Sequence, residues 1–198
     1  MDNPDLSLVS SEGWEVIMTW FRVALFGVTL GLFSSSAALA QGMEAAVRRP
    51  ADRADVGSVD AIIAAVYDVI SGPAGVRDWD RMRSLFIPEA RLIAVGEAPD
   101  GSFTKRVMSL EDYIGRAGAY FEQNGFVERE LARRTERFEH IAHAFSTYES
   151  LHSVADPEPF SRGINSFQLM HDGERWWIVT IYWEAETPDK PIPDKYLP

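Results

Sequence analysis

The feature that most constrains this chain is its closing segment, residues 175–186, which reads Arg-Trp-Trp-Ile-Val-Thr-Ile-Tyr-Trp-Glu-Ala-Glu. The segment follows Asp172-Gly173, a pair typical of tight hairpin turns, and its β-branched and aromatic residues predict a strand. A strand with one face in water alternates apolar and polar side chains, whereas this one is apolar or aromatic at nearly every position. Both of its faces must therefore be covered by other parts of the protein.

The composition limits the classes of function that the chain can have. Its 198 residues, 46% of them hydrophobic, are enough for one well-packed domain with additional segments. A net charge of −11 disfavours non-specific binding to nucleic acid or to anionic membranes. The absence of cysteine excludes disulfides, thiolate metal sites and cysteine nucleophiles. We expect no cofactor and no metal ion.

Residues 18–40 have the layout of a secretory signal peptide. Arg22 precedes an apolar run at 23–33, and small residues precede Gln41, so we predict cleavage between Ala40 and Gln41. The apolar run is about half the ~20 residues that a membrane-spanning helix needs. This pattern predicts a periplasmic or secreted protein without stable membrane insertion, and a retained membrane anchor is the alternative.

The rest of the chain divides by composition into four further segments. Residues 1–17 are acidic where a signal peptide is basic, and we interpret them as a mis-annotated start before the true first residue, Met18. Residues 41–57 lack an apolar period and are predicted to be a linker. Residues 58–186 form the predicted domain, and 187–198 form a proline-rich, irregular tail.

Hydrophobic periodicity predicts the elements of the domain. Ser58, Asp78 and Ser109 have the side chains of helix N-caps, and each precedes an apolar pattern with helical spacing. From residue 126 onward the pattern is that of strands joined by turns. Helices with a largely antiparallel sheet predict an α+β fold. The predicted helices are 59–71, 79–86 and 110–124, and the predicted strands are 91–95, 103–107, 126–137, 141–153, 163–171 and 175–186.

Two stretches carry a family resemblance: residues 77–91, Arg-Asp-Trp-Asp-Arg-Met-Arg-Ser-Leu-Phe-Ile-Pro-Glu-Ala-Arg, and the ending Gly-x-x-Trp-Trp-Ile-Val at 173–179. They resemble the second helix with the entry to the first strand, and the last strand, of the nuclear-transport-factor-2-like superfamily. That superfamily includes SnoaL-like polyketide cyclases, ketosteroid isomerase and scytalone dehydratase. The resemblance implies three N-terminal helices packed on a curved mixed or antiparallel sheet that forms a cone. The same fold hosts enzymes, binding modules and dimerisation domains, so function stays open.

The resemblance also suggests a cover for each face of the closing strand. Strict alternation places Trp183, and every second residue before it, inside the cone. It places Trp176, Ile178 and Tyr182 outside, where members of the superfamily often pack against a second copy. We therefore expect a homodimer with these three residues in its interface, because large aromatics left in water form an unusual apolar patch. The alternative is that the tail folds back over that face and the chain is monomeric.

Comparison with ketosteroid isomerase places Tyr67, Asn165 and Trp183 on the wall of the cone pocket. Tyr67 falls at the tyrosine that donates to the developing oxyanion, and Asn165, or Ser166, falls near the second donor. The general-base position falls on Ala94, which cannot accept a proton, so the isomerase mechanism is not carried over. A core aromatic role is the alternative for Tyr67.

Two further residues are candidates for acid–base catalysis. His143 is predicted to line the pocket, with a core histidine as the alternative, and Asp80 could reach the cone mouth or pair with an arginine. His140 and His143 lie three positions apart in one strand and so point to opposite faces, which excludes a metal pair. The charged run 128–137 is typical of a solvated strand, and a site for an anionic ligand is the alternative.

These patterns predict an exported small-molecule-binding domain for a small apolar or carbonyl-bearing ligand. One alternative is a cofactor-independent dehydratase, isomerase or cyclase that uses His143 or Asp80. The other is a non-catalytic dimerisation or interaction module whose cone is filled by its own side chains. An acid–base group that projects into the cone is the feature that separates the enzyme from the simple binder.

Overall fold

The computed structural model describes residues 49–98 and 100–198. The predicted mis-annotated start, the signal peptide and most of the predicted linker lie outside the described residues. The described helices are α1 (Arg53–Val56), α2 (Val59–Ile70), α3 (Trp79–Leu85) and α4 (Leu110–Gln123), with a 3-10 turn at Asp194–Tyr196. The strands are β1 (Phe86–Glu97), β2 (Phe103–Met108), β3 (Val127–Phe138), β4 (Ile141–Leu151), β5 (Ser161–His171) and β6 (Trp176–Ala185).

The six strands form one mixed sheet in the order β2-β1-β6-β5-β4-β3. Neighbouring strands are antiparallel except β1 and β6, which run parallel in the interior of the sheet. The predicted α+β class is confirmed. The helices do not form one N-terminal block, because α4 follows β2, and α1 lies within the segment predicted to be a linker. None of the described helices is long and apolar enough to cross a membrane.

The longer helices begin where the sequence places capping side chains. Ser58 accepts a hydrogen bond from a first-turn N–H of α2 at 3.0 Å, and Asp78 does the same for α3 at 2.9 Å. Ser109 and Asp112 form a reciprocal capping box at the start of α4. Each cap satisfies a backbone donor that helix geometry leaves without a partner, so the three predicted starts are confirmed.

Helices α2, α3 and α4 cover one face of the sheet, which we call the inner face; the opposite side is the outer face. Each helix turns an apolar stripe toward the strands. Burying one large apolar side chain contributes roughly 1.5–3 kcal/mol, so this contact is the main source of stability. The largest fully buried side chains include Ile62, Ile63, Met82, Leu85, Phe86, Leu92, Phe167 and Ile178.

A bulge in β6 overturns the predicted faces of the closing strand. Val179 has no partner in β5, because the residues on either side of it pair with consecutive residues of β5. This extra residue shifts the alternation by one position. Trp176 and Ile178 are therefore buried in the inner core, at 2% and 0% exposure, and cannot form a dimer interface. Tyr182 remains on the outer face and is 45% exposed.

A second bulge, at Leu131, changes the faces of β3. Leu131 has no partner in β4, and the residues before and after it pair with consecutive residues of that strand. Glu128 and Glu130, before the bulge, and Arg133, after it, all lie opposite inner-face residues of β4. The predicted solvated strand therefore turns three charged side chains toward the helices.

Residues after β6 cover part of the outer face. Lys190 forms an ion pair with Glu97 of β1. The carbonyl of Tyr196 accepts a hydrogen bond from Thr147 Oγ1 at 2.7 Å, and the Tyr196 ring packs against Phe145 with centroids 5.1 Å apart. The predicted tail therefore lies across the sheet, as in the monomeric alternative, but it leaves Tyr182 exposed.

The close packing at Gly163 gives a test of this sheet. A Cβ at Gly163 would collide with the carbonyl oxygen of Glu184 and the hydroxyl of Tyr148. We expect Gly163→Ala to lower the free energy of unfolding by about 2 kcal/mol or more, measured by urea denaturation. Gly115→Ala is the control: nothing lies within 4 Å of its Cβ position in α4, and alanine should stabilise the helix by roughly 0.5–1 kcal/mol.

Candidate functional site

A hydrogen-bonded cluster of polar side chains lies between α2 and the inner face. The Tyr67 hydroxyl is 2.7 Å from Ser146 Oγ, and Asn165 Nδ2 donates to the same hydroxyl at 3.1 Å. Asn165 Nδ2 also donates to Glu128 Oε1 at 3.1 Å. We call Tyr67, Glu128, Ser146 and Asn165 the inner polar cluster. It joins a helix to three strands, so it forms only when the helix layer is packed on the sheet.

Glu128 is the acid of the inner polar cluster. Its second oxygen, Oε2, accepts a hydrogen bond from Ser150 Oγ at 3.0 Å. Burial raises the pKa of Glu128 to about 7, although the hydrogen bonds from Asn165 and Ser150 act in the opposite direction. No ion pair within the described part of the chain involves Glu128. A carboxyl group in this state exchanges its proton near neutral pH.

The neighbouring acid on β3, Glu130, has a cationic partner. Ser146 Oγ donates to Glu130 Oε1 at 2.5 Å, and Arg133 Nε lies 3.1 Å from the same oxygen. Arg133 also forms an ion pair with Asp60 at the start of α2, at 3.2 Å. Glu130 therefore has the charge partner that Glu128 lacks.

Aromatic rings surround the Glu128 carboxyl group. Its charge helps to raise the pKa of Tyr67, Tyr113 and Tyr148, with burial as the larger cause in each case. Tyr113 of α4 meets Trp183 of β6 edge to face, with ring centroids 6.4 Å apart and an interplanar angle of 84°. Glu128, Tyr113 and Trp183 are each half-buried, so this end of the inner face is less completely enclosed than the core around Ile178.

The structure brings together three of the four residues predicted to line the pocket. Tyr67 and Asn165 are hydrogen-bonded to each other, and Trp183 is the cross-strand neighbour of Asn165. Ala94 pairs with Trp183 from the other side. Ala94, the residue at the expected general-base position, therefore lies in the same row of side chains as the inner polar cluster.

The two weaker candidates, His143 and Asp80, lie elsewhere. His143 is exposed on the outer face, because the residues on either side of it point inward, and its Nε2 lies 3.6 Å from Glu136 Oε2. It therefore does not line the inner face as predicted. Asp80 is exposed in α3 and pairs with Arg83 at 2.9 Å. Neither side chain reaches the inner polar cluster.

Sequence reasoning missed Glu128, which is the strongest acid–base candidate in the structure. In the sequence it is one of several charges in the run 128–137, and the bulge that places Glu128 and Arg133 on the same face has no local signal. The one available signal lies in β4, where Ser146, Tyr148 and Ser150 occupy every second position. That alternation indicates a polar stripe on a face that is otherwise apolar.

Two surface clefts lie apart from the inner polar cluster. One, of about 310 Å³, is lined by the loop after α2 and the start of α3. The other, of about 230 Å³, lies between β3, Phe145 and the residues around Tyr196. Within residues 49–98 and 100–198, no group of three or more histidine, aspartate or glutamate side chains could hold a metal ion.

No protein-family model and no curated protein matches the chain. A protein of unknown function with a cystatin-like fold from Nostoc punctiforme matches 67% of this chain and 91% of its own, with a TM-score of 0.50 and 11% identity. A nuclear-transport-factor-2-like protein of unknown function from Pseudomonas putida matches 80% and 95%, with a TM-score of 0.46 and 12% identity. The superfamily fold suggested by the resemblance is supported, though without a block of three N-terminal helices, and identities this low carry no information on activity.

The raised pKa of Glu128 predicts a pH-dependent effect on stability. The folded state holds this proton more tightly than the unfolded state, where the pKa is 4.5, so stability falls as the pH rises from about 4.5 to about 7. Glu128→Gln removes this loss. We expect it to raise the free energy of unfolding by up to roughly 3 kcal/mol at pH 8 and to change it little at pH 4.5, measured by urea denaturation.

The matched control is Glu122→Gln, which removes an exposed acid from α4. It should change stability by no more than about 0.5 kcal/mol at either pH. Equal effects of Glu128→Gln at pH 8 and pH 4.5 would contradict the assigned pKa.

Proposed function

We propose that the chain, exported after cleavage between Ala40 and Gln41, binds a small, largely apolar molecule at the inner polar cluster. The observation that carries the proposal is the state of Glu128: a carboxyl group held by two neutral donors, with no cation beside it in the described chain. An ionisable side chain buried without a charge partner lowers stability. Such groups are typical of binding and catalytic sites rather than of structural cores.

The surroundings of Glu128 supply the rest of a binding site. Ligand sites combine an apolar, aromatic wall with a few placed polar groups. Here Trp183, Tyr113 and Ala94 are the half-buried apolar residues, and Tyr67 and Asn165 are the polar ones. In an interaction module with a filled cone, the same carboxyl group would lower stability without a compensating role.

A larger side chain at Ala94 tests the proposed location. Ala94 faces inward beside Trp183, so Ala94→Phe would place a bulky ring next to the inner polar cluster, where the ligand is proposed to bind. We expect the neutral apolar dye Nile red to bind the purified protein, and Ala94→Phe to weaken its binding at least about tenfold. Fluorescence titration measures this, with circular dichroism to verify the fold of the variant.

Val76→Asp is the control for binding at another place, because Val76 is 76% exposed and lines the cleft after α2. It should leave Nile red binding unchanged. Loss of binding in Val76→Asp together with normal binding in Ala94→Phe would move the site to that cleft. Absence of any dye binding would favour the filled interaction module.

A cofactor-independent dehydratase, isomerase or cyclase is the second candidate, and the pKa of Glu128 favours it. A group with a pKa of about 7 is ionised and protonated in comparable amounts at neutral pH, so it can both take and return a proton. In this reading Glu128 replaces His143 and Asp80 as the acid–base group. Solvent deuterium uptake at the α-carbon of a carbonyl compound, absent in Glu128→Gln, separates an enzyme from a binder.

We further propose a homodimer through the part of the outer face that the tail leaves open. Val107, Ile93 and Tyr182 are neighbours across β2, β1 and β6. Val107 is 57% exposed, and Ile141 and Met170 add further exposed apolar surface on β4 and β5. A patch of this kind on a monomer typically marks an interaction surface, and a two-fold axis would pair it with itself.

A charge at Tyr182 tests the dimer. We expect Tyr182→Glu to convert a dimer at micromolar concentration into a monomer, because two buried carboxylates would face each other across the axis. Val154→Glu is the control, since Val154 is 78% exposed but lies in the loop between β4 and β5. Sedimentation velocity measures both variants, and a monomeric parent protein contradicts the proposal.

A further inference from the structure

The hydrogen bonds of the inner polar cluster have a fixed direction. Glu130 is ion-paired with Arg133, so its carboxylate only accepts, and Ser146 must donate to it. Ser146 then accepts from the Tyr67 hydroxyl across 2.7 Å. Tyr67 in turn accepts from Asn165 Nδ2 across 3.1 Å. Every donor hydrogen along this path points toward Glu130.

With Glu128 ionised, the four residues of the inner polar cluster therefore have no donor hydrogen left for a ligand. The second N–H of Asn165 Nδ2 is committed to Glu128 Oε1. What remains is accepting capacity: each oxygen of Glu128 accepts one hydrogen bond and has a further lone pair, and Asn165 Oδ1 accepts none among the described residues. Arg133 Nη1 is an unused donor, but protein encloses it. A ligand complementary to the cluster with Glu128 ionised donates hydrogens, whereas the sequence suggested an apolar or carbonyl-bearing ligand.

The charge of ionised Glu128 indicates which kind of hydrogen-bond donor the ligand carries. Among the described residues no cation pairs with this carboxyl group, and an ammonium group would supply both the counter-charge and the donor hydrogens. The rings of Tyr113 and Trp183 lie at the same half-buried end of the inner face. Aromatic faces attract cations by about 0.5–2 kcal/mol each, whereas they repel an anion at the same place.

We propose that the ligand of the inner polar cluster is a small organic cation: a protonated amine on an apolar body, whose N–H groups donate to Glu128. The apolar body packs against Trp183 and Tyr113. This inference rests on the proposed function, which places the ligand at this cluster, and it adds the chemical class of that ligand.

Benzylammonium and benzyl alcohol are the probes, because they share an apolar body and differ in charge. Isothermal titration of the purified protein at pH 8 should give at least about tenfold tighter binding of benzylammonium. Glu128→Gln should remove that preference. Asp80→Asn removes one charge from the exposed surface of α3 and should keep the preference, which separates the site from general attraction to an acidic protein.

The pH dependence gives a second measurement that needs no variant. Tyr67, Tyr113 and Tyr148 face Glu128 from α2, α4 and β4 with raised pKa values, and Glu130 and Arg133 on its own strand are ion-paired. Ionised Glu128 binds the cation, so benzylammonium affinity should rise roughly tenfold or more between pH 5.5 and pH 8, with its midpoint near pH 7, and level off above about pH 8. Benzyl alcohol should show no such rise.

The outcomes separate this inference from the proposed function. Equal binding of both probes, with Nile red still displaced by them, overturns the cationic ligand and leaves the binding site in place. Tighter binding of benzylammonium that survives Glu128→Gln also overturns it. If neither Nile red nor either probe binds, the proposed function itself is contradicted.

Discussion

The packing of α2, α3 and α4 on the inner face is the interaction on which the rest of this structure depends. It buries Ile178 and Trp176 with the helix side chains and supplies most of the apolar stabilisation. It also brings Tyr67 from α2 against Asn165 and encloses Glu128. The contact that stabilises the domain is therefore the same contact that raises the pKa of its most unusual acid.

Local features of the fold could be predicted from the sequence, because they depend on neighbours in the chain. The caps at Ser58, Asp78 and Ser109 and the hairpin at Asp172-Gly173 are of this kind. The two bulges are different, since an extra residue in one strand is defined only by the register of its partner. Each bulge exchanges the two faces of a strand beyond it. Strict alternation therefore placed Trp176 on the outer face, whereas it is buried on the inner face.

The candidate site was predictable only in part, for the same physical reason. Tyr67, Asn165 and Trp183 followed from resemblance to a fold whose inner wall is known, and the structure places them together. Glu128 could not be found in this way, because its character comes from burial by elements far away in the sequence rather than from its own strand. The sequence alone does not distinguish Glu128 from the other charged residues of the run 128–137.

The parallel contact between β1 and β6 has a consequence for how the domain folds. Phe86 pairs with Ile178, so this contact closes a loop of about 90 residues, whereas the other strand pairs join segments closer in sequence. Contacts between residues so far apart in the sequence form slowly, so we expect β6 to pair with β5 first and to keep its other hydrogen-bonding edge open until β1 docks. A newly synthesised chain exposes a tryptophan-rich edge until its first strand docks, and aggregation competes with folding during that interval.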